Sequence, residues 1–290
     1  MSLASRDEKF VARVVELQSN MPDHLVCDAH ADREKLARDW LDETRDLDRW
    51  KLIERLLPID LKKSKTLEIG SGVGTFVMAG VRQGLSVDGI EPVKELVELN
   101  NERLQQEGIS ADVRVGTGEH LPYPDQSYDL ATSFQVLEHV DDPQQVINES
   151  LRVLRPGGYI FFIIPSYHSF WEGHYGIFWW PNLHRYKPLM SRYIRLMRRD
   201  PAYADTLNFI TPQLLHEAVS KAPIKANIEN LGYEVWRERL YKKMPAWGYT
   251  SRLLRVVEIA RKLRLLKIVE VLGKRWEFYT PIIFVCRRDS

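Results

Sequence analysis

The chain has 290 residues, with 41 basic side chains against 40 acidic ones, and 44% of it is hydrophobic, the balance of an ordinary folded protein without general attraction for a polyanion. Its two cysteines, Cys27 and Cys286, are too few and too far apart for a disulfide framework or a paired-cysteine metal site, and both are expected as reduced thiols in a cytoplasmic protein. The opening MSLASRDEKF lacks an apolar signal core, and no stretch approaches the ~18 apolar residues that span a bilayer, so neither secretion nor membrane insertion is expected.

Residues 1–64 read as an N-terminal helical extension. Apolar residues recur at helical spacing in Phe10, Val11, Val14, Val15 and Leu17, and again in Trp50, Leu52, Ile53, Leu56 and Leu57 before Pro58. The period then changes. Strands are expected at 66–70, 85–91, 111–115, 128–134 and 159–164, with helices at 93–107 and 143–154 between them. Strands alternating with helices mean a parallel sheet with covered faces, hence an α/β fold. From 166 to 211 the regularity fails, which suggests a lid at 166–211 inserted into one domain that runs from 65 to 290. A helix follows Thr211-Pro212, a strand is expected at 233–241, one long basic amphipathic helix at 251–272 within a 247–275 insertion, and a last strand at 281–287.

The first strand runs into Leu67-Glu68-Ile69-Gly70-Ser71-Gly72-Val73-Gly74, a strand ending in a tight glycine turn where a ligand can approach the backbone. Such a turn also occurs in dinucleotide dehydrogenases and in plain turns. Glu91, 17 residues after Gly74, ends the second strand, where a carboxylate can accept from both hydroxyls of an adenosine ribose. Glu68 sits just before the glycines and would repel a pyrophosphate. S-adenosylmethionine is cationic and carries no phosphate, so it suits that acid better than NAD.

Residues 65–165 resemble class I S-adenosylmethionine-dependent methyltransferases, especially those related to ubiquinone and menaquinone methyltransferases. The segments LEIGSGVGTF (67–76), GIEP (89–92), GEHLPYPDQSYDLATSFQVLEHVDDP (118–143) and LRVLRPGGYIFFIIP (151–165) carry the likeness, in the family's order and spacing. It implies a Rossmann-like, seven-stranded, mostly parallel sheet with helices on both faces and an antiparallel last strand. It also implies that Gly70, Gly72 and Gly74 line the methionine and ribose and that Glu91 holds the ribose diol. Gly118 and Glu119 would border the adenine, and Gln135 would lie near the methionine end. The family's usual Asp is replaced by Thr117, a departure that Glu119 is expected to cover.

Methyl transfer from a sulfonium needs alignment, and a hydroxyl acceptor also needs a base. His139, which follows Glu138 after the fourth strand, is one candidate; His174 and His184, in the aromatic segment 166–199, are the others. Some relatives hold magnesium through E-x-x-E-H. Here the first position is the neutral Gln135, so no metal is expected. The aromatics of 166–199 suit a sugar, planar or lipid acceptor, or form the lid's own core, with Trp171, Phe178, Trp179 and Trp180 as its members. Arg192, Arg195, Arg198 and Arg199 form a basic run beside them, read as a solvated face or a site for an anionic acceptor.

The helix at 251–272 is read as packing on its own domain or on a partner, or as a peripheral contact with an anionic membrane. The aromatic insertion and this helix resemble methyltransferases of bacterial surface-polysaccharide pathways. The leading acceptor is therefore a sugar hydroxyl on a lipid- or nucleotide-linked glycan, the alternative a small molecule of quinone or natural-product type. A nucleic-acid acceptor is disfavoured by the balanced charge and by the lack of an NPPY- or DPPY-like motif after the fourth strand. A non-enzymatic scaffold role predicts a degraded cofactor loop, and this loop is intact.

Overall fold

The structure is a computed structural model that describes residues 3–20, 32–242 and 251–289. Cys27 and the start of the 247–275 segment lie outside the described residues, while Cys286 is a buried free thiol. Two compact units divide the chain, Met1–Ser133 with Arg152–Arg155, and Phe134–Leu151 with Pro156–Ser290.

The first unit begins with helices α1 (Leu3–Asn20), α2 (Arg33–Leu41) and α3 (Thr44–Leu56). Strands β1 (Lys65–Ile69), β2 (Ser86–Glu91) and β3 (Val113–Val115) follow, then β4 (Tyr128–Phe134), with β2 and β4 each parallel to β1 and β3 parallel to β2. Helices α4 (Thr75–Arg82) and α5 (Lys94–Gln106) pack on β2. Trp50 of α3 stacks on Phe76 of α4 at 4.1 Å between ring centroids, and its indole N–H donates to the Phe76 carbonyl at 3.1 Å. Phe10, Val11 and Val14 of α1 form one apolar cluster with Val73 of the glycine turn and with Leu96 and Leu99 of α5. The helical extension thus packs directly on the loop that the sequence marks as functional.

The second unit holds most of α6 (Pro143–Val153) and of β5 (Leu154–Ile164), then a short hairpin of β6 (Trp171–Glu172) and β7 (Ile177–Phe178). Helices α7 (Lys187–Leu196) and α8 (Pro212–Lys221), strand β8 (Ala226–Asn230), helices α9 (Tyr233–Tyr241), α10 (Ser251–Lys262) and α11 (Leu266–Trp276), and strand β9 (Ile282–Arg288) complete it. The seven long strands have the order β3-β2-β1-β4-β5-β9-β8, and β9 runs antiparallel to both β5 and β8. This is the seven-stranded, mostly parallel sheet with a reversed last strand that the family resemblance implies.

Three local expectations are corrected. Residues 233–241 are helical, and the seventh strand is β8. The aromatic and β-branched content of Tyr233-Glu234-Val235-Trp236 suggests a strand, but Gly232 turns the chain at φ +96°, where a Cβ would lie 2.9 Å from the Ile283 nitrogen. Val235, Trp236 and Leu240 then become one buried helical face. The long helix expected at 251–272 is two helices. Arg264 takes the left-handed conformation (φ +58°) and the Leu265 N–H reaches back to the Ala260 carbonyl at 2.8 Å, a helix stop usually reserved for glycine. The 166–211 segment is more regular than its pattern suggests, with the hairpin and α7 built around a core that includes Tyr167, Tyr175, Trp179 and Ile194. Trp171 and Trp179 are buried as a lid core requires, whereas Phe178 and Trp180 are exposed.

Candidate active site

Gly70, Gly72 and Gly74 all have positive φ (77°, 52° and 80°), which L side chains rarely adopt, so the turn at the end of β1 depends on them. The N–H groups of Gly70 and Ser71 both donate to the Ile90 carbonyl of β2, at 2.8 and 3.0 Å. A Cβ on Gly74 would fall 2.1 Å from the buried Asn100 amide, so this glycine serves packing. A Cβ on Gly72 would meet nothing within 4 Å, so this glycine borders open space.

Glu91, buried at the end of β2, holds that space from one side. Its Oε2 accepts from the Gly72 N–H at 2.9 Å and its Oε1 from the Val93 N–H at 3.1 Å, leaving further lone pairs on each oxygen for a ligand. Burial pushes its carboxyl above the ordinary value, against the two N–H donors. The Gly116 N–H ties the start of the next loop to the Glu91 carbonyl at 3.1 Å, and that loop carries the buried Gly118 and the partly exposed Glu119.

Glu68 lies beneath the turn and is fully enclosed. Burial and the negative charge of Asp46 push its carboxyl well above the usual range, with Glu91 adding to this, against Arg49 and the Val77 N–H. Its Oε2 and the buried Ser71 hydroxyl have no hydrogen-bond partner. The open space at Gly72, beside a buried Glu91 carboxyl that keeps lone pairs free, offers the acceptors that the hydroxyls of an adenosine ribose need.

The second unit brings two of the three candidate histidines together. The His139 and His174 rings meet edge to face at 5.4 Å, and one ligand-type atom each from Glu138, His139 and His174 lie within 4.8 Å of one another. The turn of the β6–β7 hairpin sets His174 beside Glu172. Glu172 Oε1 contacts His174 Nδ1 at 2.8 Å, and its Oε2 accepts from the Tyr175 N–H at 2.6 Å. The Tyr167 hydroxyl stands 3.3 Å from the same Nδ1. Burial opposes a charge on this ring, but the hydrogen bond and charge of Glu172, with the charge of Glu138, outweigh it and raise the His174 pKa above 6.5.

Glu138 is fully buried and neither carboxylate oxygen has a hydrogen-bond partner. Burial pushes its pKa up to about 7, with Glu172 adding to this and the His174 charge opposing it. The Asn208 N–H donates to the Glu138 carbonyl at 2.8 Å, so the chain just before α8 fixes the backbone here. His184 stands apart. It stacks on Phe209 at 4.9 Å, and burial, with Arg185 and His168, lowers its pKa to about 4. Gln135 takes a left-handed conformation (φ 58°) at the end of β4, its N–H held by the Ile163 carbonyl at 2.8 Å. Backbone strain at a strand end is common where side chains are aimed at a ligand.

Sequence reasoning missed Glu172 and Tyr167 as partners of His174. The Glu172-Gly173-His174 spacing across a glycine is visible in the chain, but which acid faces which ring depends on the hairpin. The Glu138–His139–His174 group has donors suited to a divalent cation; the sequence sets Glu138 and His139 side by side, but gives no sign of His174 as the third member.

The profile of the family described as a methyltransferase domain matches residues 67–162, about a third of the chain. A ubiquinone biosynthesis O-methyltransferase of Klebsiella pneumoniae is 34% identical over 99 residues, covering 34% of this chain and 41% of that protein. The Coxiella burnetii protein of the same name is 31% identical over 114 residues, covering 39% and 48% respectively. The chain therefore spans less than half the length of these relatives. Among solved structures, a S-adenosylmethionine-dependent methyltransferase of Thermotoga maritima is similar at 24% identity and a TM-score of 0.44, over 67% of this chain and 80% of that one. The profile match, with the glycine turn and the acid-ended second strand, makes residues 67–162 a methyltransferase domain, similar over that stretch to the ubiquinone O-methyltransferases.

Proposed function

We propose that the chain transfers a methyl group from S-adenosylmethionine to a hydroxyl oxygen, with His174 as the base. The bound donor supplies a methyl group already activated on a sulfonium. Gly72 leaves the backbone open to it, and Glu91 accepts from its ribose hydroxyls. The observation that carries the acceptor half is the buried Glu172–His174 pair. Glu172 and Tyr167 occupy Nδ1, so Nε2 is the atom left to take the acceptor proton as the oxygen–carbon bond forms. Glu138 lies close enough to the imidazole for its charge to offset the imidazolium.

The acceptor we favour is a sugar hydroxyl of a lipid- or nucleotide-linked bacterial glycan, supported by the aromatic 166–211 segment and the exposed Arg192, Arg195 and Arg198 beside it. A phenolic acceptor of quinone type is the second reading, favoured by the 31–34% identity to ubiquinone O-methyltransferases. Purified protein incubated with methyl-labelled donor, sugar-diphosphate lipids, nucleotide sugars and catechols separates the two. Label on the glycan supports the first reading, and label on the phenol alone replaces it with the second. Donor binding without transfer to any hydroxyl points instead to a scaffold role.

A further inference from the structure

The second unit also holds a cavity of about 380 Å³ that the chemistry above does not use. Its walls include Phe170, Trp171, Phe178, Trp236, Leu266 and Trp276, and Ala260 of α10 stands at one side. The two hydroxyls in the wall are already engaged. Ser169 donates to the Ser166 carbonyl at 2.7 Å, and Thr280 accepts from the Ser166 N–H at 3.2 Å. The Trp171 indole N–H has no partner, but the wall is otherwise apolar, and a polar ligand would lose most of its hydration here without compensation. A hydrocarbon chain gains roughly fourfold in affinity for each methylene buried.

The helices that wall this cavity are greasy and basic on the outside. Ile259, Leu263, Ile268 and Val271 are each more than half exposed, and Trp276 is nearly so. Six basic side chains stand against three acidic ones from 257 to 277, and Lys262, Arg264, Lys274 and Arg275 are exposed. Of the acids, Glu270 is buried and already bonded by Lys267 and Tyr241. Exposed apolar side chains set among cations match the headgroup region of an anionic bilayer. No helix among the described residues is long and apolar enough to cross one, so the contact would be peripheral.

We propose that α10 and α11 lie on an anionic membrane and that the cavity takes from it the hydrocarbon chain of the methyl acceptor. The inference deepens the functional reading above and rests on it for the acceptor, which becomes lipid-linked instead of nucleotide-linked. Binding of cis-parinaric acid to the full chain, read by energy transfer from tryptophan, tests the cavity. Sedimentation with phosphatidylglycerol-containing or pure phosphatidylcholine vesicles tests the surface. Saturable one-to-one probe binding is expected, displaced by dodecyl phosphate and not by butyl phosphate, and weakened at least tenfold in Ala260→Trp of unchanged melting temperature. Sedimentation is expected with the anionic vesicles only, and to fall at least tenfold in Arg264→Glu/Lys274→Glu. Absence of saturable probe binding, equal displacement by the two phosphates, or equal sedimentation with both vesicles overturns the proposal. Calorimetry with S-adenosylmethionine in the same preparation reads the methyltransferase assignment independently of these results.

Discussion

Glu138 is the residue where chemistry and stability conflict most openly. Its native pKa of about 7 exceeds the ordinary 4.5, so the folded state binds this proton more tightly than the unfolded chain does. Stability is therefore fullest below pH 4.5 and is lost as pH rises towards 7, by up to roughly 3 kcal/mol. Glu138→Gln should melt higher than the parent at pH 8 and equally at pH 5 in paired calorimetric scans, while transfer slows. The His174 base works only when neutral, and its pKa is raised, so the transfer rate should climb with pH through an inflection above 6.5. Glu172→Gln should move that inflection down, and His174→Ala should cost about 10²- to 10⁴-fold in kcat. The inflection belongs to the Glu138–His139–His174 group as a whole. Sequence shows each of these histidines singly; it does not show their partners, because Glu172 and Glu138 become relevant only when the hairpin brings His174 against His139.

At the scale of elements, the glycine turn separates ligand space from packing space. Gly72→Ala should lower the melting temperature only modestly, by the ~1–2 kcal/mol of a left-handed alanine, because its new methyl group meets no protein atom. Its donor affinity by calorimetry should nevertheless fall, since that methyl group enters the open cradle. Gly74→Ala should instead destabilise strongly through Asn100, a difference visible in the melting temperatures alone. The turn, β1, β2 and β4 were legible because glycine, strand period and the terminal acid are local signals. Helix α9 and the break before α11 were not, because Gly232 acts through its contact with β9, and the left-handed turn falls on Arg264 where a glycine would have marked it.

For the whole molecule, donor binding should appear as added stability. At one hundred times the dissociation constant the gain is about 2.7 kcal/mol, which for a chain of this size raises the melting temperature by roughly 4 °C. Glu91→Gln, which forfeits charge-assisted hydrogen bonds, should weaken binding about 10- to 100-fold and erase most of that rise. Dialysis against a chelator is expected to leave transfer intact. Loss of activity, restored by a divalent cation, would instead assign Glu138, His139 and His174 to a metal.

Strand β6 is only two residues long, and alternation turns its members opposite ways. Trp171 lines the oily cavity, while Glu172 grips the imidazole. Wedging a bulky guest against that indole should therefore be audible on the other side, as a change in the nuclear resonance of the His174 ring without any contact between the two.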